Sequence, residues 1–211
     1  LHFKPGAQCM FDFYADGLHI ASDIICVRNT GYFGFYAYHG SDMKISNLRV
    51  CDKTCPLPRP APIGMAAAYT NVGGSYQLHD GGKRLYLLRD KGEKMVTFNS
   101  PKMLGNRAGG WNLEFDVQFL VGTNNGNVGR HGGIFFGGTH PSHNRWHGHK
   151  RKQQGALTSV IDWIDREGDR GIRIYGVDSP DTMNHRLHSP RRASYPRKWK
   201  VHFKPGPQCT F

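Results

Sequence analysis

Apolar and polar residues alternate with a period of two along most of the chain, a pattern typical of half-buried β-strands. FDFYADGLHIAS alternates on both sides of Asp16-Gly17, and GYFGFYAYHG and MKISNLRV continue the alternation. An Asp-Gly pair between alternating apolar residues is typical of a two-residue β-hairpin. Because no segment has a sustained helical period, we predict an all-β chain whose first hairpin turns at Asp16-Gly17.

The second part of the chain continues the strand pattern with glycine-rich turns between the strands. The prediction comprises turns at Asp80-Gly81-Gly82, Asp90-Lys91-Gly92 and Gly168-Asp169-Arg170-Gly171, a long strand at 111–122 and a short buried strand at 132–138. Many strands at this spacing are typical of a β-sandwich or a jelly roll.

The composition changes at CDKTCPLPRPAPIG (51–64), where prolines occupy every second position: Pro56, Pro58, Pro60 and Pro62. Proline fixes φ and has no N–H group for a β-ladder, so this segment is predicted to be a stiff, extended linker. A proline-rich recognition motif is the alternative interpretation, but such spacings are common by chance.

The end of the chain repeats its beginning. Residues 1–11 read LHFKPGAQCMF and residues 201–211 read VHFKPGPQCTF, with eight of eleven positions identical. An internal repeat at an offset of 200 residues indicates a tandem array. The chain is then one unit followed by the first strand of the next, and we predict that this strand passes to a neighbouring unit. The residues of the predicted inter-subunit strand are Val201, His202, Phe203, Lys204, Pro205, Cys209 and Phe211.

The repeat also accounts for the odd number of cysteines. Cys9 and Cys209 hold the same place in the repeat, so each unit contains four cysteines: Cys9, Cys26, Cys51 and Cys55. An even number suits an oxidising setting, so we predict an extracellular or cell-surface protein with disulfides. Cys9 and Cys26 flank the first hairpin and could be bridged across its strands, and Cys51 and Cys55 could close a small loop. Buried thiols and a zinc site are the alternatives, although no CxxC spacing supports zinc.

Basic residues outnumber acidic ones by 28 to 16, and the formal charge of +12 falls largely in two segments. HPSHNRWHGHKRK (140–152) has the composition of an exposed loop that binds acidic glycans, or alternatively of a metal site at His140, His143, His147 and His149. The second segment, 185–204, carries seven cations and no acid. The candidate contacts for an anionic glycan are Lys150, Arg151, Arg191, Arg192, Arg197, Lys198 and Lys200.

Two classes of partner are not expected. The basic segments contain no recognisable nucleic-acid-binding module, so we predict no nucleic-acid partner. The sequence has no run of about 18 apolar residues, so we predict no membrane span.

The order of the strand motifs is similar to that of a known family. Trp111–Val117 matches a strand of the type F-x-L-E-x-D-V-x-F, and Gly132–Phe136 matches a GGIFF strand. Later motifs of the family match, in order, Trp199–Phe203, Phe11–Gly17, Gly31–Ala37 and ISNLRV (45–50). On these motifs, most of the chain resembles the concanavalin A-like (laminin G-like) jelly-roll domains.

The resemblance implies a jelly-roll β-sandwich whose segments are circularly shifted along the sequence. Residues 65–200 would form its N-terminal half, 51–64 a linker, 1–50 its C-terminal half, and 201–211 a strand donated to the next unit. The family also makes calcium a candidate ion, for which no ligands are assigned. Fold alone does not determine activity.

Relatives on this fold that hydrolyse glycosides carry E-x-D-x-x-E, whose paired carboxylates act as acid and nucleophile or base. Here the strand with Glu114 and Asp116 lacks the last acid. Asp162 and Asp165 are three residues apart and would point to opposite faces of a strand, whereas Asp165 and Glu167 share a face beside a turn. We therefore expect no enzymatic activity.

These observations predict a structural subunit of an extracellular fibril or adhesin that polymerises head to tail by β-strand exchange. A secreted glycan-binding, lectin-like module is the alternative. The expected partners are copies of the chain itself and, in addition, acidic glycans.

Overall fold

A computed structural model describes residues 9–28, 31–38, 41–52, 70–73, 75–88, 95–99, 111–120, 130–141, 143, 157–166, 169–175, 185–188 and 197–204. These residues form β-strands joined by turns, and the helical structure among them is one short 3₁₀ turn at Asp80–Gly82. The strands are β1 (Met10–Ala15), β2 (Leu18–Ile25), β3 (Tyr32–Tyr38), β4 (Asp42–Asp52), β5 (Thr70–Gly73), β6 (Ser75–His79), β7 (Arg84–Leu88), β8 (Met95–Asn99), β9 (Trp111–Leu120), β10 (Arg130–Gly138), β11 (Ser159–Arg166), β12 (Asp169–Tyr175), β13 (His185–His188) and β14 (Lys198–Phe203).

The strands form two seven-stranded sheets, and the neighbouring strands pair antiparallel. The first sheet has the order β2-β1-β14-β9-β4-β7-β6, and the second has the order β13-β12-β11-β10-β3-β8-β5. The predicted all-β class is therefore confirmed, and the two sheets are consistent with a β-sandwich. Residues 10–52, which we call the first block, supply β1, β2 and β4 to one sheet and β3 to the other. Residues 70–203, the second block, supply the remaining strands.

The main core is rich in aromatic side chains and lies between the inner faces of the sheets. Phe203 of β14 stacks on Trp111 of β9, with ring centroids 4.0 Å apart. Phe136 of β10 packs edge-on against Phe203 at 5.1 Å and against Phe11 of β1 at 5.2 Å. Offset and edge-to-face packing of this kind adds to the hydrophobic gain of burying the rings. Through these contacts, β1 and β14 of the first sheet pack against β10 of the second sheet.

The predicted first hairpin is confirmed. β1 and β2 are joined by Asp16 and Gly17, whose φ angles are 49° and 81°. Positive φ at both central residues is what a type I′ hairpin turn requires, and Asp-Gly supplies it at low cost.

Two of the bulges in the first sheet correct the phase of the strands around the core. In β2 the register shifts near Asp23, and in β4 it shifts between Ser46 and Arg49 around Asn47. Asp23 and Asn47 both have a φ of 55°, the left-handed conformation that Asp and Asn tolerate better than most residues. Because each bulge adds one residue, the apolar positions beyond it again point inward.

One predicted hairpin is wrong, and another is displaced. β7 pairs with β4 and β6 in the first sheet, whereas β8 pairs with β3 and β5 in the second, so the strands on either side of 90–92 do not form a hairpin. Asp90, Lys91 and Gly92 themselves lie outside the described residues. The β11–β12 hairpin exists, but Arg166 already pairs with Asp169, so its turn precedes the predicted one at 168–171. Turn residues identify a change of direction but not the sheet that the next strand joins.

Several predicted segments lie partly or wholly outside the described residues. The prolines at 56, 58, 60 and 62 are among these, and so are residues 1–8 and 205–211. β4 runs to Asp52, two residues beyond the predicted end of the first strand-rich segment at residue 50. The linker and the proposed domain limits stay predictions.

Phe203→Ala should destabilise the protein by about 3–5 kcal/mol, because a fully buried ring would leave a cavity beside Trp111 and Phe136. Leu18→Ala is the control, because Leu18 is 69% exposed and should cost less than about 0.5 kcal/mol. Urea denaturation monitored by tryptophan fluorescence measures both. Equal losses in the two variants would contradict this account of the core.

Candidate functional site

The predicted inter-subunit strand begins inside the chain's own first sheet. β14 lies between β1 and β9, with Phe203 opposite Phe11 and Val201 opposite Phe13 on the β1 side. Val201 and Phe203 are fully buried, and His202 lies between them on the outer face. Lys204 follows β14 directly, whereas Pro205, Cys209 and Phe211 lie outside the described residues. We call β1 and β14, together with Cys9, Asp16 and Lys204 at their ends, the joint.

One end of the joint is held by Asp16 in the β1–β2 turn. Its carboxylate accepts hydrogen bonds from the backbone N–H groups of Arg197 and Lys198, at 2.9 and 2.8 Å. Its own N–H group donates to the carbonyl oxygen of Lys198 at 2.8 Å. A single short side chain thus forms the hairpin turn and fixes the start of β14.

The other end of the joint is held by Lys204. Its backbone N–H group donates to the carbonyl oxygen of Met10 at 3.0 Å, which extends the β1–β14 ladder by one residue. Its Nζ lies 2.6 Å from Asp23 Oδ1 and 3.2 Å from Asp12 Oδ1, and the Asp23 N–H group donates to Asp12 at 3.0 Å. Hydrogen bonding to Asp23, assisted by Asp12, raises the pKa of Lys204 above its ordinary value. Lys204 therefore remains charged and links β14 to both strands of the first hairpin.

A disulfide closes the same end. Cys9 and Cys26 are bonded, as the sequence predicted, with their Cα atoms 5.1 Å apart. The Cys26 N–H group donates to the carbonyl oxygen of Cys9 at 2.8 Å. Cys51 is also disulfide-bonded, but the predicted pairing with Cys55 lies outside the described residues, as does Cys209.

Two lysines of the second basic segment lie opposite carboxylates. In the register, Lys198 lies opposite Asp116 and Lys200 lies opposite Glu114 on β9. The Lys200 ammonium also lies 4.8 Å above the ring of Tyr14, a cation–π contact. These two lysines therefore belong to a sheet face of mixed charge. Of the other candidate glycan contacts, Arg197 begins the turn into β14, whereas Lys150, Arg151, Arg191 and Arg192 lie outside the described residues.

The histidine-rich segment is described only at its start. His140 and His143 lie near each other, with ring centroids 5.8 Å apart, and the His143 N–H group donates to the His140 carbonyl at 3.0 Å. His147 and His149 lie outside the described residues. Within the described ranges, no group of three or more His, Cys, Asp or Glu side chains is arranged to hold a metal ion.

A buried polar cluster on the outer face of the second sheet was not predicted. Asp162 of β11 is fully buried, and its Oδ2 accepts a hydrogen bond from Tyr36 Oη on β3 at 2.9 Å. The same oxygen lies 2.7 Å from His131 Nε2 on β10. Arg173 of β12 lies opposite Asp162 in the register and is 9% exposed. The hydrogen bonds therefore link three neighbouring strands, and Arg173 lies beside them on a fourth.

Gly133 makes the cluster possible. It lies between Tyr36 and Asp162 in the register, and a Cβ atom there would come within 2.1 Å of the Ile161 carbonyl oxygen. Without a side chain at this position, the phenol of Tyr36 can reach across β10 to the carboxylate. Such a network can orient a histidine and share a proton, but its members are buried, so we interpret it as a cross-strand tie.

The acids of β9 are not brought together with Asp162 of β11. Glu114 and Asp116 lie on the outer face of the first sheet, because Leu113, Phe115 and Val117 face the core. Asp162 lies on the outer face of the second sheet, on the far side of that core. The side chains of Asp165 and Glu167 are not among those described. A signal for the buried cluster was present in SVIDWI, where one acid interrupts an otherwise apolar strand.

The chain matches no protein-family model, no curated protein and no solved structure. Among the described residues, no helix is long and apolar enough to cross a membrane.

The stability of the joint should fall as the pH falls below about 6.5, the ordinary pKa of histidine. Burial lowers the pKa of His202, so the unfolded chain takes up a proton at a pH at which the folded chain does not. Stability is therefore full above the unfolded pKa and declines until the pH reaches the folded pKa. His202→Gln should lose less stability than the unmodified protein between about pH 7 and pH 5, measured by urea denaturation. Equal losses would refute the role of His202.

Tyr36→Phe should cost about 1–3 kcal/mol, because it deprives the buried Asp162 carboxylate of a donor. Tyr14→Phe is the matched control, because Tyr14 is half-buried on the outer face of the first sheet and its ring contacts survive the change. Denaturant midpoints compare the two variants. A loss of less than about 0.5 kcal/mol in Tyr36→Phe would show that the tie does not stabilise the fold.

Proposed function

We propose that the protein is a structural repeat unit of an extracellular fibril or adhesin, in which neighbouring units are joined head to tail by shared β-strands. The single observation that carries this proposal is the joint. β14 ends in the residues that repeat the beginning of the chain, and it pairs with β1, the strand that this beginning leads into. The start of the second copy of the repeat thus lies in β14, and the end of the first copy lies in β1 beside it.

The unit that would be exchanged is larger than one strand. Val201 and Phe203 are part of the core, so β14 stays with the second block. The first block contacts the second through the pairs β1–β14, β4–β9, β4–β7, β3–β10 and β3–β8. A first block from another unit could form every one of these pairs, because the two blocks are separate stretches of the chain. Exchange of a whole block between identical chains preserves the contacts and produces head-to-tail assemblies when it does not close into a ring.

An extracellular setting is supported by the Cys9–Cys26 disulfide, because structural disulfides persist in oxidising compartments. A concanavalin A-like jelly roll with circularly shifted segments is the finer fold that we propose for the sandwich. A structural role rather than an enzymatic one is supported by the separation of Glu114 and Asp116 from Asp162 on opposite sides of the core.

The glycan-binding alternative has weaker support. Two of its three described candidates, Lys198 and Lys200, lie opposite acids of β9, and a sheet face of mixed charge attracts a polyanion less than a face of one sign.

Complementation between two full-length variants tests block exchange. Phe13→Asp places a charge in the core of the first block, and Phe115→Asp does the same in the second block, so neither chain alone should form a stable sandwich. In the mixture, the intact first block of one chain can complete the intact second block of the other. We expect the mixture to recover near-ultraviolet circular dichroism and to form a two-chain species in analytical ultracentrifugation.

The control mixture combines Phe13→Asp with Ile45→Asp, two core changes in the same block. No intact first block is then present, and no recovery is expected. If the test mixture behaves as the sum of its separate components, block exchange does not occur and the proposed function fails.

A further inference from the structure

The polar contacts between the two blocks are of two kinds. In the first kind, a side chain of one block binds the backbone of the other. The Asp16 carboxylate accepts the N–H groups of Arg197 and Lys198, and in the reverse direction the N–H group of Val27 donates to Ser159 Oγ at 2.9 Å. Backbone N–H groups are present at every residue except proline, so such contacts position the first block but leave the sequence of one partner free.

Contacts of the second kind join a side chain of each block, so they depend on the residue types of both partners. Lys204 directly follows β14 and is counted with the second block here. These contacts include Tyr36 with Asp162 at 2.9 Å, Asn47 with Asp116 at 2.6 Å, and Lys204 with Asp23 at 2.6 Å and with Asp12 at 3.2 Å. The contact of Lys204 has a charge on both sides, whereas Tyr36 and Asn47 are neutral. A change of sign on either side would therefore turn its attraction into repulsion.

The first block holds its two acids in place for a cation. Asp23 lies in the bulge of β2 with a φ of 55°, and its N–H group donates to Asp12 Oδ1 at 3.0 Å. Two neighbouring carboxylates repel each other, and the Lys204 ammonium, which contacts both, offsets this repulsion. The side chain of Asp12 is 10% exposed and that of Lys204 is 28% exposed, so solvent screens this contact less than it screens an open surface pair. The charge arrangement of the first block is thus completed by the second.

We propose that Asp12, Asp23 and Lys204 are the specificity-determining residues of the contact between the blocks. They accept a first block whose hairpin presents the two carboxylates, and they reject one whose hairpin presents a cation at the same place. The partner that fits is the first block of a second copy of this chain. The inference rests on the proposed function only where the first block comes from another chain, because within one chain the same contact is present in the structure.

A charge-swap cycle in the full-length chain tests this proposal. Lys204→Glu faces two carboxylates and Asp23→Lys faces the lysine, so each change alone should lower the equilibrium constant for folding. In the double variant opposite charges meet again, and we expect it to be at least about fivefold more stable than the two separate losses predict. Urea denaturation measures all four proteins at low salt and at about 1 M salt, where the Debye length is about 3 Å. The coupling should shrink at high salt.

The matched control combines Lys83→Glu with Asp23→Lys. Lys83 is an exposed cation just before β7, five strands away from β2 in the sheet order, so these two changes should be additive. A coupling of less than about twofold between Lys204 and Asp23, or one that high salt leaves unchanged, overturns the proposal. Should Asp23→Lys fail to fold because of the positive φ, Asp23→Asn with Lys204→Gln repeats the cycle, since asparagine tolerates this conformation. The coupling expected there is about threefold, and the same limits apply.

The same swap in the complementation mixture separates this inference from the proposed function. Lys204→Glu is added to the Phe13→Asp chain, which supplies the second block, and Asp23→Lys is added to the Phe115→Asp chain, which supplies the first. Recovery should be lower when one chain carries its added change than when both chains or neither do. Equal recovery in all four mixtures overturns the inference while it establishes exchange. If no mixture recovers, exchange fails, and the cycle within one chain decides the inference.

Discussion

The pairing of β14 with β1 holds the first hairpin on the protein, and the rest of the sandwich depends on it. In the sheet order β2-β1-β14-β9, the β1–β2 hairpin is hydrogen-bonded to β14 and to no other of the described strands. This hairpin nevertheless supplies Phe11, Phe13 and Ile24 to the core. An isolated hairpin is at best marginally stable in water, so its order must come from β14 and from packing against the second sheet. Asp16 and Lys204 hold the two ends of β14 on the first hairpin. The stacking of Phe203 on Trp111 holds β14 on β9.

Two different chain connections could bring a first block into its pairing with β14. Within one chain, the first block reaches the second through residues 53–69, whereas in an array the next first block would follow through 205–209. The interactions within the sandwich are identical in the two cases, so the choice depends on the connections. Closing a loop of seventeen residues costs about 1 kcal/mol more than closing one of five, if both loops are flexible. In the proposed array, this difference in loop closure would favour completion of each sandwich by the following unit.

The local elements were predictable, but their partners were not. Asp16-Gly17 identified the first hairpin because the residue types meet the backbone requirement of the turn. The segment around 90–92 has the same kind of signal, yet its flanking strands join different sheets, and this is decided by the packing of the whole core. The bulges at Asp23 and Asn47 were missed because a strict period of two cannot represent an inserted residue. The Asp162 cluster was missed because its members come from strands far apart in sequence and meet only when the sheet forms.

The charges at the joint restrict which strand can occupy the place of β14. Asp12 and Asp23 lie together at the end of the first hairpin, and Lys204 is the cation that both contact. A strand without a basic residue at this position would leave the carboxylates of Asp12 and Asp23 without this cation, which disfavours such a strand. The sequence HFKPG occurs in both copies of the repeat, so each copy carries the lysine at the required place. If units share strands as proposed, the acids of the first hairpin favour a strand that carries this lysine of the repeat.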